Sequence, residues 1–242
     1  MPRATEKSMT NDKALYVNQM FSEIAEKYDL LNNLMTFGLH NKWKKETIDL
    51  ALKEITNPKS VLDLCSGTGD LAIILSNKVP EIKITCVDNC SRMLNIAKDK
   101  IKNLKIENID FLLADSENLP FYSWSFDIVT MGFGLRNLVN KEQCLSSIFG
   151  FLKPGGVFAC IDLGYPVNDL WQKLYFSYFY NLIPKLGEVF AKNKDAYTYL
   201  PNSLKTWYKQ EELKNIILKT GFQKCYFKNL LGGAIAIHIA VK

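Results

Sequence analysis

Apolar positions change their period along the chain. From Lys13 to about Asn57 they recur three and four residues apart, at Val17, Met20, Phe21, Ile24 and Tyr28, and again from Trp43 through Ile48 to Leu52. That spacing predicts two helices. Between them Leu30 to His40, rich in Asn and closing on Gly38, reads as a turn region, and Pro58 ends the unit. Short apolar runs follow at Ser60 to Cys65, Ile82 to Asp88, Ile109 to Ala114, Phe126 to Met131 and Gly156 to Leu163, with helical patterns at about 69–78, 91–103 and 141–152. Buried strands alternating with helices predict crossovers and a parallel sheet covered on both faces.

The last third departs from this rhythm. Asp169 to Ile183 sets Leu170, Trp171, Leu174, Tyr175, Tyr178, Phe179, Leu182 and Ile183 in pairs four apart, an amphipathic helix stopped by Pro184. Glu211 to Lys219 is a further helix ended by Gly221. Phe222 to Lys228 and Ala234 to Val241, joined by Leu-Leu-Gly-Gly, read as a hairpin that finishes the sheet antiparallel.

Charge and composition narrow the classes. The 242 residues carry a net charge of +5, and residues 168–229 alone hold ten Lys against five acids together with 14 of the 29 aromatics. Nucleic acid, a membrane surface or an apolar ligand would each suit such a segment. The first 13 residues lack an apolar h-region and no apolar run approaches 18 residues, so an intracellular, non-spanning protein is expected. Six scattered cysteines without a Cys-x-x-Cys pair, and two histidines, His40 and His238, give no reason to expect a metal or a disulfide framework.

The strongest chemical signal is Val61-Leu62-Asp63-Leu64-Cys65-Ser66-Gly67-Thr68-Gly69-Asp70, a buried strand entering a glycine turn and then a helix. Glycine there lets a ligand approach the backbone without a Cβ in the way. Read as Gly67-x-Gly69-x-x-Ala72 it fits a dinucleotide fingerprint, but three acids shift the balance. Asp63 lies inside the strand, within reach of a cationic ligand group; Asp88 ends the next strand, placed for ribose hydroxyls; Asp115, with Ser116 beside it, ends the third, placed for an adenine edge. Several acids suit a ligand bearing a sulfonium and an amino group better than a pyrophosphate.

With its acid followed by Gly-x-Gly, the chain resembles the class I S-adenosylmethionine methyltransferases. Tyr28-Asp29-Leu30-Leu31-Asn32-Asn33-Leu34-Met35-Thr36-Phe37-Gly38-Leu39-His40-Asn41-Lys42-Trp43 is similar to the N-terminal signature of the ubiquinone/menaquinone methyltransferase family. Phe133-Gly134-Leu135-Arg136-Asn137, Leu152-Lys153-Pro154-Gly155-Gly156 and Tyr197-Thr198-Tyr199-Leu200-Pro201-Asn202-Ser203 match further family blocks, so the resemblance covers about residues 17–240. It implies a Rossmann-like doubly wound α/β sheet, mostly parallel with a C-terminal antiparallel hairpin, plus N-terminal helices and a helical insertion. One domain, 1–242, would comprise a helical lid (13–57), a cofactor-binding core (58–165), a substrate-side insertion (166–205) and the last helix with its hairpin (206–242). The resemblance places Thr68 in the glycine turn, Asp88 at the ribose, Asp115 with Ser116 near the adenine and Gly132 after the fourth strand; Tyr28 and Asp29 are expected to order the lid, with a helix-end role as the alternative for Asp29. Cys65 stands where a glycine is common, Leu31 where Met is common, Thr36 and Gly132 where some members have Ser, and Asp162 and Gly164 where many have Glu and Ser. Thr130 to Asn137 looks most like the cyanobacterial and plastid branch, which implies demethylphylloquinol as substrate; demethylmenaquinol or a polyprenyl benzoquinol is the alternative.

Methylating a ring carbon needs an electron-rich carbon, so the expected substrate is a reduced, lipophilic prenylated quinol. Arg136 and Asn137, just past the fourth strand, lie where α/β sheets place ligands and are expected at the quinol oxygen; His40 is the other catalytic candidate. Structural alternatives stand beside these roles: His238 as a strand residue, Arg136 as a partner of a nearby carboxylate, Cys65 as packing, and the Leu170 to Ile183 stripe as a core helix or a channel wall for an isoprenoid tail. Rival functions are an NAD(P)-dependent oxidoreductase, a nucleic-acid methyltransferase and a non-catalytic S-adenosylmethionine- and membrane-binding module. Three arginines and no Asn/Asp-Pro-Pro-aromatic block after the fourth strand argue against nucleic acid. Peripheral contact of the lysine-bearing segment with anionic lipid, a location in the cytoplasm or plastid stroma, and a homodimer complete the expectations.

Overall fold

Helix α1 (Ala4–Thr36) and helix α2 (Leu39–Lys53) open the chain in the computed structural model, which describes residues 4–182, 199, 202–204 and 207–242, with side chains from Lys13 onward. The turn region expected over Leu30 to His40 is corrected. α1 runs on to Thr36 and the turn shrinks to Phe37 and Gly38, both left-handed at φ 51° and 75°. Asn is a weak helix former, but Leu31 is buried at this level with Met20 and Ile24, and that burial decides the conformation.

Strands β1 (Ser60–Leu64), β2 (Lys83–Asp88), β3 (Ile109–Leu113), β4 (Phe126–Gly132), β5 (Leu152–Leu163), β6 (Lys224–Leu230) and β7 (Ile235–Val241) form one sheet in the order β3-β2-β1-β4-β5-β7-β6. The first five are parallel, and β7 runs antiparallel to β5 and β6. Helices α3 (Asp70–Lys78), α4 (Ser91–Asn103), α5 (Lys141–Phe151), α6 (Asp169–Ser177) and α7 (Gln210–Lys219) follow in chain order between and after the strands. Alternate residues of each strand serve opposite faces. Val61, Ile84, Cys86 and Ile128 pack with Leu71, Ala72 and Leu75 of α3 and Ile101 of α4. Leu62, Leu64, Val129 and Met131 pack with Cys144, Leu145 and Ile148 of α5. The chain winds outward through β2 and β3 and returns to β4 on the other flank of β1, so the strand order reverses between β1 and β4 and opens a crevice at their C-terminal ends.

Two boundaries differ from the sequence pattern. β5 starts at Leu152, four residues early: Phe126 pairs with Leu152 and Ile128 with Val157, so Lys153 to Gly156 bulge out between them. Lys153 Nζ anchors that bulge on Asp127 at 2.9 Å. α6 keeps α-helical geometry only to Ser177 and then widens into a π turn at Tyr178–Leu182. Ile183, the Pro184 stop, most of the Tyr197 to Ser203 block and much of the 166–205 insertion lie outside the described residues.

Candidate active site

The crevice is built on the glycine turn after β1. Gly69 is left-handed at φ 80°, and a Cβ there would stand 3.2 Å from Ala97 Cβ of α4. Cys65 also takes φ 50°, without the glycine common at that place, and Gly134 lies so close that a Cβ on it would fall 2.5 Å from Cys65 Cβ. The turn is tied across to β2: Gly67 N–H donates to Asp88 Oδ2 and Cys90 N–H to Oδ1, each at 2.8 Å. Burial raises the Asp88 pKa, and these backbone donors oppose the rise.

Five of the expected cofactor residues, Gly67, Asp88, Asp115, Ser116 and Gly132, line one narrow cleft roofed by Val17, Phe21 and Tyr28 of α1. A Cβ on Gly132 would meet Leu71 Cδ1 at 2.9 Å, so the glycine serves the packing of α3 as well. Asp63 sits deeper, in a niche with Lys44, Thr68 and Asp70. Thr130 Oγ1 donates to Asp63 Oδ1 at 2.6 Å, whereas Oδ2 is buried with no hydrogen-bond partner among the described residues. Burial pushes the Asp63 carboxyl up to about 7. A buried carboxylate oxygen lacking a donor is what an ammonium group requires, and with Asp88 and Asp115 along the cleft the donor set fits S-adenosylmethionine. Among the described residues no cluster of three His, Cys, Asp or Glu is placed to hold a metal ion.

Thr68 is placed differently from a ligand contact in the open cleft. Its hydroxyl donates to Asp29 Oδ1 of α1 at 2.8 Å. Lys100 Nζ of α4 joins Asp29 Oδ2 at 3.0 Å to Asp70 Oδ1 at 2.6 Å, and Lys44 Nζ of α2 reaches Asp70 Oδ2 at 2.6 Å. This chain of charges latches α1 and α2 onto the glycine turn. Burial would raise the Asp70 pKa, but the Lys44 and Lys100 ammonium groups bring it down to about 2. Nothing in the sequence distinguishes Lys100 from the other lysines of α4.

Behind the cleft lies a larger, mainly apolar cavity of about 430 Å³, bounded by α1, α2, α6 and the β7 end of the sheet. Tyr28 and Phe133 line both spaces and form the wall between them. Phe133 is itself left-handed at φ 58°, a conformation that costs a bulky residue on the order of 1 kcal/mol or more and clusters at functional sites. The expected pair Arg136 and Asn137 divides across this wall: Arg136 lines the cavity and Asn137 the cleft. Arg136 Nη1 donates to Asp162 Oδ1 and to the Phe133 carbonyl, both at 2.6 Å, while Nε is buried without a partner among the described residues. Burial opposes its charge, but Asp162 outweighs that and raises the pKa. Asn137 Nδ2 donates to the same Phe133 carbonyl at 3.2 Å, and its Oδ1 accepts from Tyr199 Oη at 3.2 Å.

His40 also lines the cavity and is buried. Thr36 Oγ1 gives its one proton to the Asn32 carbonyl at 2.6 Å, so it accepts from His40 Nδ1–H at 2.9 Å. That assignment makes Nε2 the lone-pair nitrogen, and among the described residues it has no hydrogen-bond partner. Burial, then Lys44, lowers the His40 pKa and keeps the ring neutral near pH 7. His238 lies in β7 instead, hydrogen-bonded to the Gln210 carbonyl at 2.9 Å and pushed down to about 4 by burial, a structural residue. Cys65 is buried in its polar atom, and burial raises its thiol well above the usual range, which suits packing rather than nucleophilic attack.

A parallel sheet whose strand order reverses over an acid-lined glycine turn is the architecture of a class I S-adenosylmethionine-dependent methyltransferase. Solved structures agree on the fold. A Thermotoga maritima S-adenosylmethionine-dependent methyltransferase, a possible histamine N-methyltransferase, superposes at TM-score 0.63 with 20% identity, covering 93% of this chain and 99% of that one. Phosphoethanolamine N-methyltransferase 2 of Haemonchus contortus, in complex with S-adenosyl-L-methionine, gives 0.60 at 16% identity over 81% of this chain and 52% of that one. Residues 8–242 match the ubiE/COQ5 methyltransferase family. The ubiquinone/menaquinone biosynthesis C-methyltransferases of Rickettsia bellii (strain RML369-C) and Pseudoalteromonas translucida are 40% and 38% identical, over 98% and 96% of this chain and 96% and 92% of theirs. The chain therefore belongs to the ubiE/COQ5 methyltransferase family, and it is an S-adenosylmethionine-dependent enzyme of quinone biosynthesis.

Proposed function

We propose that the enzyme methylates a ring carbon of a reduced prenylated quinone precursor held in the 430 Å³ cavity. The carrying observation is the pairing of a fixed cation, Arg136, with a neutral base, His40, in a mainly apolar space that shares a wall with the cofactor cleft. When bound in the cleft, S-adenosylmethionine supplies an electrophilic methyl group; Asp63 would hold its ammonium, Asp88 its ribose, and Asp115 with Ser116 its adenine edge. His40 Nε2 accepts a phenolic proton of the quinol, which raises electron density at the neighbouring ring carbon, and the hydrogen that the methyl group replaces there leaves as a proton to restore the aromatic ring. Arg136, oriented by Asp162, stabilises the oxyanion, and Asn137 shares with it the Phe133 carbonyl as acceptor. Trp43, Tyr175 and Phe179 exclude water around the ring.

The named relatives support a ubiquinone/menaquinone precursor, a demethylmenaquinol or a polyprenyl benzoquinol. The phrase Thr130 to Asn137 favours a second reading, demethylphylloquinol. Incubation with labelled S-adenosylmethionine and demethylated naphthoquinols and benzoquinols, with and without reductant, separates them. Transfer is expected only under reduction; equal transfer to the oxidised quinones would overturn the proposal. At saturating S-adenosylmethionine, kcat/KM for the quinol should rise through a pKa below 6.5 and level off by pH 7, because the base must be neutral. His40→Gln should abolish that acid limb; an unaltered profile would remove His40 from the reaction.

A further inference from the structure

The cavity has a mouth, and its rim is apolar on the outside as well as the inside. Phe37, in the turn between α1 and α2, lines the cavity and yet is 86% exposed. Leu174 of α6 and Leu231 of the β6–β7 loop line it too and stand 56% and 45% exposed. The rim extends beyond the lining: Leu34 lies one helical turn before Phe37, Leu170 (69% exposed) one turn before Leu174, and Val167 (73% exposed) donates its N–H to the Gly232 carbonyl beside Leu231. Two of these residues, Phe37 at φ 51° and Leu231 at φ 47°, occupy left-handed backbone, which apolar side chains disfavour. A monomer gains nothing from bending its backbone to present a bare ring and a bare leucine to water.

Three observations choose what covers the rim. It is continuous with the cavity assigned to a lipophilic ring. That cavity, at about 430 Å³, takes a quinol head and the start of its tail but not a long polyprenyl chain, so the remainder must leave through the mouth. Exposed Lys42 stands one turn beyond Leu39, and exposed Lys173 adjoins Leu174, suiting anionic headgroups; Asp169 is the acid on the same helix. No described helix is long and apolar enough to cross a membrane. We propose that this rim, Leu34, Phe37, Val167, Leu170, Leu174 and Leu231, is a bilayer-docking surface that inserts to the acyl boundary, so that the quinol ring enters the cavity while its tail stays in lipid. The proposal rests on the quinol reading and moves the membrane contact from the lysines of residues 168–229 at large to an apolar rim drawn from three separate elements.

The test uses the full chain and a Leu34→Glu/Leu170→Glu variant, since neither residue lines the cavity. Vesicles of phosphatidylcholine, with and without phosphatidylglycerol, are sedimented with protein at low salt. The parent is expected to co-sediment, more with the anionic vesicles, and the variant to partition at least tenfold more weakly. Methyl transfer to a quinol bearing one isoprene unit in solution should be the same for both, whereas transfer to a long-tailed quinol embedded in vesicles should fall with the variant. Parent protein left in the supernatant, or equal partitioning of the two, overturns the proposal. So does a concentration-dependent doubling of mass by light scattering that the variant abolishes, because the rim would then belong to a second copy. Failure of transfer to the short-tailed quinol refutes the quinol reading instead, independently of the vesicle result.

Discussion

At the scale of single residues, burial sets the chemistry. Asp63 titrates at about 7, far above an ordinary carboxyl, because it lies in a dry niche with one oxygen unserved. An ammonium group binds its ionised form, so affinity for S-adenosylhomocysteine should strengthen as pH rises toward 7, by up to roughly tenfold per unit below the pKa, with proton release. Calorimetry in buffers of different ionisation enthalpy measures that release, and Asp63→Asn should eliminate it. The folded pKa is raised above the unfolded value, so Asp63 by itself costs stability as pH climbs from about 4 to 7. Arg136 is a different case, a buried pair with Asp162 at 2.6 Å. Arg136→Lys keeps the charge but not the fork, and should lower kcat about 10- to 100-fold with a fall in Tm. Asp63, Asp88, Arg136 and His40 were all legible in the sequence, since each stands in a motif or beside a strand end. The Thr36 hydroxyl that fixes the His40 tautomer was not, because its role depends on an exact approach of two side chains across a helix end.

At the scale of elements, the latch joining α1, α2, α3 and α4 through Asp29, Lys100, Asp70 and Lys44 closes the roof over the cofactor cleft. Asp70→Asn should cut two of its ion pairs, speed S-adenosylhomocysteine dissociation in stopped flow and lower the Tm. The depressed pKa of Asp70, about 2 against an ordinary 3.8, implies about 2 kcal/mol of stability. That contribution is complete above pH 4 and disappears as pH falls through 2; an acid-unfolding midpoint identical in Asp70→Asn would contradict it. Strand positions were legible to within a few residues, because short apolar runs bounded by turn residues and alternating with helical patterns suit the buried strands of a parallel sheet. The end of α1 was not: asparagines suggest a turn, and only the pocket that buries Leu31 makes the stretch helical. The bulge before Val157 escaped as well, since Lys153-Pro154-Gly155-Gly156 reads as a loop and its pairing to β4 depends on Asp127.

At the scale of the whole molecule, the doubly wound sheet with its antiparallel hairpin followed from element order alone, whereas the large cavity did not. Its walls come from residues as distant as Met20 and Ile235, which only tertiary folding brings together. With detergent-solubilised quinols, KM should fall over the first isoprene units, as each buried methylene contributes roughly 0.8 kcal/mol, and then level off once the cavity is full. A KM that keeps falling with every added unit would mean a longer channel. The Phe133 carbonyl has a bearing on both halves of the site. One oxygen accepts from Arg136 on the quinol side at 2.6 Å and from Asn137 on the cofactor side at 3.2 Å. A ligand that draws Asn137 away leaves that oxygen wholly to Arg136, so occupancy of one space is registered in the other as a coupling free energy. Linkage makes such coupling reciprocal, and typical values correspond to a 5- to 150-fold change in affinity. Quinol titrations with and without S-adenosylhomocysteine should therefore give different dissociation constants, and the same ratio should return when the two ligands exchange roles.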